Sequence, residues 1–369
     1  MRYHLLGRSG LRVSELSLGT MTLGASTGWQ FGTEDDDECR RMFDLYVDAG
    51  GNFVDTALMY ANGESEQAVG RLIASDRDRF VVSTKYSSNT DAQGDVNASG
   101  NHRKNLVRSL ESSLRRLGTD HVDLYWVHAP DFMTPLDELI RALDDQVRLG
   151  KVLYVGVSNF PAWQVARANT LAELHGWSPF VAMTIEYSLL ERTPERELFP
   201  MARALDVGIT AWSPLGHGIL SGKYNSNGDG AARRLDTAPL KQLTERNLEI
   251  ARVVGEVATE TGATASQVAL AWVVAQGVIP VVGARTAGQM AENLGALAVE
   301  LTPEHLARLD AVSALDLGFP REFLLASRRA TYGGTLAEIH HHRADVDLPP
   351  ELAAAARLDA GAASARGEG

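Results

Sequence analysis

Eight short apolar runs, each closed by a small or polar residue and each followed by a stretch of helical period, restrict this chain's fold more than any other feature. They occupy residues 16–19, 52–55, 80–85, 122–128, 153–158, 180–186, 208–213 and 278–283. A short apolar run bounded by turn residues reads as a buried strand. Strands that alternate with amphipathic helices read as βα units of a parallel sheet. The helical period between the runs is explicit: Leu106, Leu110, Leu114 and Leu117 share one face over 105–117, and Gly118 supplies a left-handed cap. Leu136, Leu139, Ile140, Leu143 and Val147 form the stripe of a helix over 134–149, which Gly150 closes. Thr193 and Pro194 read as the N-cap and first helical position of a third.

Eight units over roughly 280 residues fit a closed barrel, whose usual size is about 250 residues, better than a doubly wound sheet with a second domain. No linker-like break interrupts them. The expected fold is therefore α/β: a single parallel (β/α)8 TIM barrel over 1–335, with an N-terminal β-hairpin, long βα loops and a C-terminal extension. The Ala- and Gly-rich end, 336–369, is expected to be partly disordered. Residues 87–101 and 224–239 are too polar and Gly-rich to be plain connections and are expected to close over a ligand.

The net charge of −12, with no clustered Lys and Arg, excludes a general nucleic-acid binder. No segment approaches the roughly 18 consecutive apolar residues of a membrane span, and the first twenty residues form no signal-peptide core. A cytoplasmic protein without a membrane partner is the expectation. The single cysteine, Cys39, makes no internal disulfide and reads as a small core residue on a helix. His340, His341 and His342 would point in different directions along a helix, so no metal site is expected there. Asp35, Asp36, Asp37 and Glu38 read as acidic residues stabilising the positive end of the helix that runs to Ala49.

In a parallel barrel the reactive groups sit at the carboxyl ends of the strands. Asp55 ends the second run, Lys85 the third and His128 the fourth, while Tyr60 follows in the loop DTALMY. Singly, each has an ordinary reading: Asp55 as a helix cap, Lys85 as a surface cation, His128 as a core imidazole and Tyr60 as a loop aromatic. At adjacent strand ends they make a site, because buried charges must pair and paired charges beside a Tyr shift its acidity. An unperturbed phenol, with a pKa of about 10, is a poor acid at neutral pH. Lys85 is expected to lower that value, Asp55 to hold Lys85, and His128 to orient a carbonyl toward Tyr60.

The segments FVDTALMYANGESEQAVGRLI, RFVVSTKY, VDLYWVHAPD, GKVLYVGVSNF and GARTAGQMAENLGAL resemble successive signatures of the aldo-keto reductase family, in family order over most of residues 1–300. The resemblance is to the longer bacterial, potassium-channel-β-like and sugar-reductase branch. It implies that Asp55, Tyr60, Lys85 and His128 are the catalytic tetrad, with Tyr60 as general acid in reduction and general base in oxidation. It implies NADPH as cofactor, with NADH left open. Ser158 and Asn159 would bind the nicotinamide carboxamide, Trp212 would stack on the ring, and Gly19, Thr20, Met21 and Asp55 would also contact the cofactor. Ser213, Pro214, Leu215, Gly216 and Lys223 would fold over the pyrophosphate. Gly283, Arg285, Gln289, Glu292 and Asn293 would hold the adenosine end, with Arg285 on the 2′-phosphate. No GxGxxG opens a βα unit, which argues against a Rossmann domain. Where the family usually carries Gln, three residues before the Tyr of its EYS motif, this chain has Thr184, a shorter partner for the carboxamide.

The implied function is reduction of an aldehyde or ketone, with a small-molecule carbonyl as partner and a keto-sugar as one expectation. Two alternatives stand beside it: a Schiff-base aldolase using Lys85, and a non-catalytic, cofactor-sensing subunit. Specificity is expected in the two loops and around 318–334. Oligomeric state is not legible.

Overall fold

The computed structural model describes residues 1–24, 35–88, 94–224 and 243–335. Most of the loop 87–101 is therefore visible, whereas nearly all of 224–239, the His340–His342 run and the C-terminal tail lie outside the described residues. Two compact units are present among the described residues: 1–192 with 207–314, and 193–206 with 315–335.

The first unit opens with an antiparallel hairpin, β1 (Tyr3–Leu5) and β2 (Arg12–Ser14). Eight parallel strands then close into a barrel. They are β3 (Ser17–Gly19), β4 (Phe53–Asp55), β5 (Val81–Tyr86), β6 (Val122–Val127), β7 (Val152–Ser158), β8 (Phe180–Glu186), β9 (Gly208–Trp212) and β10 (Ile279–Val282). Every expected run contributes one of them, within two residues at each end. The helices of this unit are α1 (Asp36–Asp48), α2 (Glu64–Ile73), α3 (Arg103–Leu117), α4 (Leu136–Arg148), α5 (Ala162–His175), α7 (Glu245–Thr261), α8 (Ala265–Ala275), α9 (Ala287–Leu294) and α10 (Pro303–Val312). The Leu106, Leu110, Leu114 and Leu117 stripe of α3 is buried, and Gly118 ends it at φ 65°. Cys39 is buried on α1, as its reading required.

The barrel is a packed core, not a pore. Leu6 and Val13 of the hairpin region join Phe53, Val81, Leu124, Trp126 and Ile279 in one buried cluster, so the hairpin plugs the floor. Gly156 on β7 explains how a Trp fits inside: a Cβ there would lie 2.5 Å from the Trp126 ring and 2.8 Å from the Ala182 carbonyl. Space rather than backbone freedom demands that glycine, and Gly156→Ala should cost about 1–3 kcal/mol by overpacking.

The second unit holds α6 (Leu198–Leu205) and α11 (Arg321–Thr331). Here one expectation fails. Thr193, Pro194 and Glu195 form only a single tight turn, and the helix starts afresh at Leu198 after Glu197 adopts φ −134°. Pro200 is the reason: in a helix running unbroken from Pro194 it would sit in the interior, clash with the carbonyl four residues earlier and remove a bond. The break leaves it in the first turn, where no intrahelical N–H is needed. Among the described residues no helix is long and apolar enough to cross a membrane.

Candidate active site

Asp55 ends β4, Lys85 is the penultimate residue of β5 and His128 follows β6, so three neighbouring strands deliver them to one rim. Tyr60 begins a tight turn in which Ala61, Asn62 and Gly63 all have positive φ, at 46°, 52° and 94°. Lys85 Nζ donates to Asp55 Oδ2 and, at 2.8 Å, to the Thr56 carbonyl. Asp55 Oδ1 accepts from Ser83 Oγ at 2.7 Å and from Trp126 Nε1 at 3.0 Å. The pair is almost wholly buried, and these bonds compensate its desolvation. The Lys85 ammonium lies 5.0 Å from the centre of the Tyr60 ring. The Tyr60 and His128 rings meet edge to face with centroids 6.1 Å apart.

Burial dominates the acidity of this cluster. It raises the Tyr60 phenol above its ordinary pKa; the Lys85 charge and hydrogen bond act downward, and Asp55 adds to the rise. The expectation that Lys85 would bring Tyr60 down is therefore half right. The ammonium does act in that direction, but the Asp55 carboxylate bound to it offsets its field and desolvation of the phenolate outweighs the remainder. Burial would likewise lower Lys85, yet Asp55 and Tyr60 hold the ammonium above its usual value. His128 is pushed down to about 3, by burial first and by Lys85 second. It is neutral throughout the ordinary pH range. Its backbone N–H is held by the Tyr86 carbonyl at 2.9 Å and Ser87 Oγ at 3.2 Å, while its buried Nδ1 has no partner.

The other arc of the rim carries the residues expected to meet a dinucleotide. Trp212 Nε1 donates to Asn159 Oδ1 at 3.0 Å, and Asn159 Nδ2 donates to Ser158 Oγ at 3.0 Å. Asn159 has φ 59°, and its N–H is held by the Thr184 carbonyl at 3.2 Å. Thr184 thus contributes through its backbone, and its side chain is buried. Ser213, Gly216, His217 and Gly218 all adopt positive φ, which curls 213–221 over the rim. Pro214 is buried and Leu215 packs on a cluster with Leu16 and Val282. His217 stands between Ser213 Oγ, 3.2 Å from Nδ1, and Glu186 Oε1, 3.3 Å from Nε2. Lys223 Nζ lies 5.2 Å from the Tyr224 ring centre.

Beyond β10, Gly19 and Gly283 stand backbone to backbone: a Cβ on Gly283 would lie 3.4 Å from the Gly19 carbonyl. Asn293 Nδ2 holds the Gly283 carbonyl at 3.2 Å, Gln289 Oε1 accepts the Arg285 N–H at 2.9 Å, and Glu292 accepts from Thr264 Oγ1 at 2.9 Å. The Arg285 side chain and Met21 are exposed. Thr20 is different. It is fully buried, bonded through Oγ1 to the Asp55 carbonyl and Ser65, and serves the barrel wall.

Several partners escaped the sequence reading. Ser83 and Trp126 could have been found from strand alternation, since Ser83 shares a face with Lys85 and Trp126 pairs with Lys85 in register. Glu38 could not. Its carboxylate crosses to the N-terminus of α9, accepting the Ala287 N–H at 2.5 Å, where an anion would otherwise be attracted. That bond, and Arg41, hold its pKa below the usual carboxylate value. A cavity of about 330 Å³ opens beside the loop after His128, lined by Phe132, Met133, Phe160, Trp163 and Arg167 among others.

A family model described as the aldo/keto reductase family matches residues 15–314. This chain belongs to the aldo/keto reductase family. It is 35% identical over 342 residues to a norsolorinic acid reductase of Aspergillus flavus, covering 89% of this chain and 86% of that protein. An aryl-alcohol dehydrogenase of Pestalotiopsis microspora is 37% identical over 336 residues, covering 88% and 85%. The oxidoreductase YrpG of Bacillus subtilis is 37% identical over 325 residues, covering 85% and 96%. This aldo/keto reductase is accordingly an oxidoreductase by family, on the barrel that its strand pattern required.

Proposed function

We propose that this chain reduces an aldehyde or ketone to the alcohol with NADPH, with Tyr60 as the general acid. The observation that carries the reading is the buried Lys85–Asp55 pair facing Tyr60 and a neutral His128. When bound, a reduced nicotinamide supplies hydride to the carbonyl carbon. Tyr60, kept protonated by burial, gives its phenolic proton to the oxygen. Lys85 steadies the phenolate that remains, and Asp55 keeps the ammonium charged and in place. His128, being neutral, donates one ring N–H to the carbonyl without adding positive charge beside Lys85.

The residues present fit the cofactor. Ser158 and Asn159, linked side chain to side chain, suit a carboxamide. Arg285 suits a 2′-phosphate, which is the ground for preferring NADPH to NADH. The relatives' names, norsolorinic acid reductase and aryl-alcohol dehydrogenase, put aromatic carbonyls ahead of a keto-sugar. A Schiff-base role for Lys85 is disfavoured, because that chemistry needs the neutral amine and Asp55 holds the charged form.

The test is NADPH oxidation by the purified protein over a panel of aromatic aldehydes, aryl ketones and keto-sugars. Turnover with at least one is expected, and Tyr60→Phe should lower it by about 100- to 10,000-fold with NADPH affinity unchanged. A Tyr60→Phe enzyme that turns over like the parent would sink the assignment.

A further inference from the structure

Next to the tetrad lies an ion pair, with its carboxylate buried and its guanidinium half-buried, that the chemistry above does not use. Glu66 on α2 is completely buried and accepts from Thr84 Oγ1 at 2.6 Å through one oxygen and from Arg116 Nη1 of α3 at 3.1 Å through the other. The same Arg116 nitrogen lies 3.4 Å from the Leu58 carbonyl. Its guanidinium lies against Gly63, where an added Cβ would be only 2.5 Å from Arg116 Cζ and Nε. Thr84 precedes Lys85, and Leu58 and Gly63 flank Tyr60, so one side-chain network touches both sides of the acid and the neighbour of its cation.

That segment needs an external hold. Ala61 and Asn62 stand in the left-handed region in succession, and neither is a glycine. Such residues relax unless surrounding contacts over-determine them. Backbone bonds at the turn run from Leu58 N–H to the Lys85 carbonyl at 3.0 Å, from Tyr60 N–H to the Ala57 carbonyl at 3.1 Å, from Asn62 N–H to the Met59 carbonyl at 3.3 Å and from Glu64 N–H to the Ala61 carbonyl.

We propose that Glu66 and Arg116 are positioning residues that clamp the turn 58–63 and thereby set where the Tyr60 hydroxyl stands relative to Lys85. The inference rests on the reading of Tyr60 as the acid only for its kinetic consequence; the clamp itself is a statement about the turn. Removing Arg116 leaves Glu66 buried beside Thr84 alone and frees Leu58 and Gly63. Removing the Glu66 charge leaves Arg116 without its anchor.

The experiment compares the parent enzyme with Arg116→Gln, Arg116→Lys and Glu66→Gln. Amide hydrogen exchange over 57–63 should rise by roughly tenfold or more in Arg116→Gln, with β6 to β8 unchanged. In steady state kcat should fall by about 10- to 100-fold, while NADPH dissociation, followed by fluorescence, stays within about twofold. Arg116→Lys, which reaches one partner but cannot lie flat on Gly63, should recover part of both effects. Glu66→Gln keeps the shape and serves if Arg116→Gln does not fold. Unchanged exchange over 57–63, or a rise spread evenly over the barrel, overturns the clamp whatever the activity shows. Altered exchange with an unaltered kcat would overturn the claim that the clamp positions the Tyr60 hydroxyl, whereas failure of the Tyr60 reading itself would show separately, as a Tyr60→Phe enzyme that turns over like the parent.

Discussion

From Asp55 to His128 the barrel rim is wired by side chains, whereas from Ser158 to Asn293 it is shaped largely by backbone. In the first arc Asp55 accepts from Ser83, Lys85 and Trp126, and all four side chains are buried. In the second, positive φ at Asn159, Ser213, Gly216, His217 and Gly218 bends the chain, and Arg285 is exposed. In the first arc the Lys85–Asp55 pair is already held in place by its own side-chain bonds, as charges that must be oriented before reaction should be. In the second, Gly283 and Arg285 are exposed, and this is the surface on which the proposed dinucleotide would lie. Damage to the first arc should therefore register in stability and turnover, and damage to the second in cofactor affinity.

The largest effect that would break this division is expected at Lys85. Lys85→Met leaves the Asp55 carboxylate buried with no counter-charge, and unfolding in urea should show a loss of about 3–5 kcal/mol. Adding Asp55→Asn should recover much of it. If Lys85→Met melts like the parent, the first arc is not held by its charges.

Next come the adenosine-end variants. Arg285→Ala should weaken NADPH by roughly 10- to 100-fold, the scale of a charge-assisted hydrogen bond, and leave NADH within about threefold. Glu38→Gln acts in the opposite sense: removing a carboxylate from the N-terminus of α9 should tighten NADPH by roughly three- to tenfold at low salt, with NADH unmoved. Paired titrations of the two cofactors read both, and equal shifts for NADPH and NADH would remove the 2′-phosphate from the account.

The smallest effect concerns pH. His128 titrates near 3 in the folded chain against an ordinary value of 6.5, so the unfolded chain binds the proton more readily. The stability this contributes is complete above about pH 6.5 and is lost as pH falls toward 3. Melting curves of His128→Gln should consequently decline less steeply than the parent's between those limits. An identical slope would mean that His128 is not neutral in the fold.

Much of this was legible along the chain. Eight strands could be read because each is a local apolar run, and Asp55, Lys85 and His128 were recognisable because strand ends in a parallel barrel face one opening. The helix after Thr193 was misjudged because its cap and proline signals are local, while Pro200, a few residues on, vetoes the continuous helix they announce. The partner of Ala287 lies 249 residues away, and nothing in the acidic stretch around Glu38 names it. Arg116 and Glu66 lie 50 residues apart on adjacent helices, and nothing in either segment names the other.

The sequence by itself determined the barrel, the order of its strands and the identity of four titratable residues at one rim, because strand period and strand-end placement are short-range properties. Tertiary structure alone decided the acidity of Tyr60. The ammonium was visible in the sequence, but the depth of burial that outweighs it depends on how three strands and a strained turn close around the phenol. It also decided that Thr20 faces the wall, that Thr184 acts through its backbone and that Glu38 occupies a helix end. Each depends on where distant segments meet.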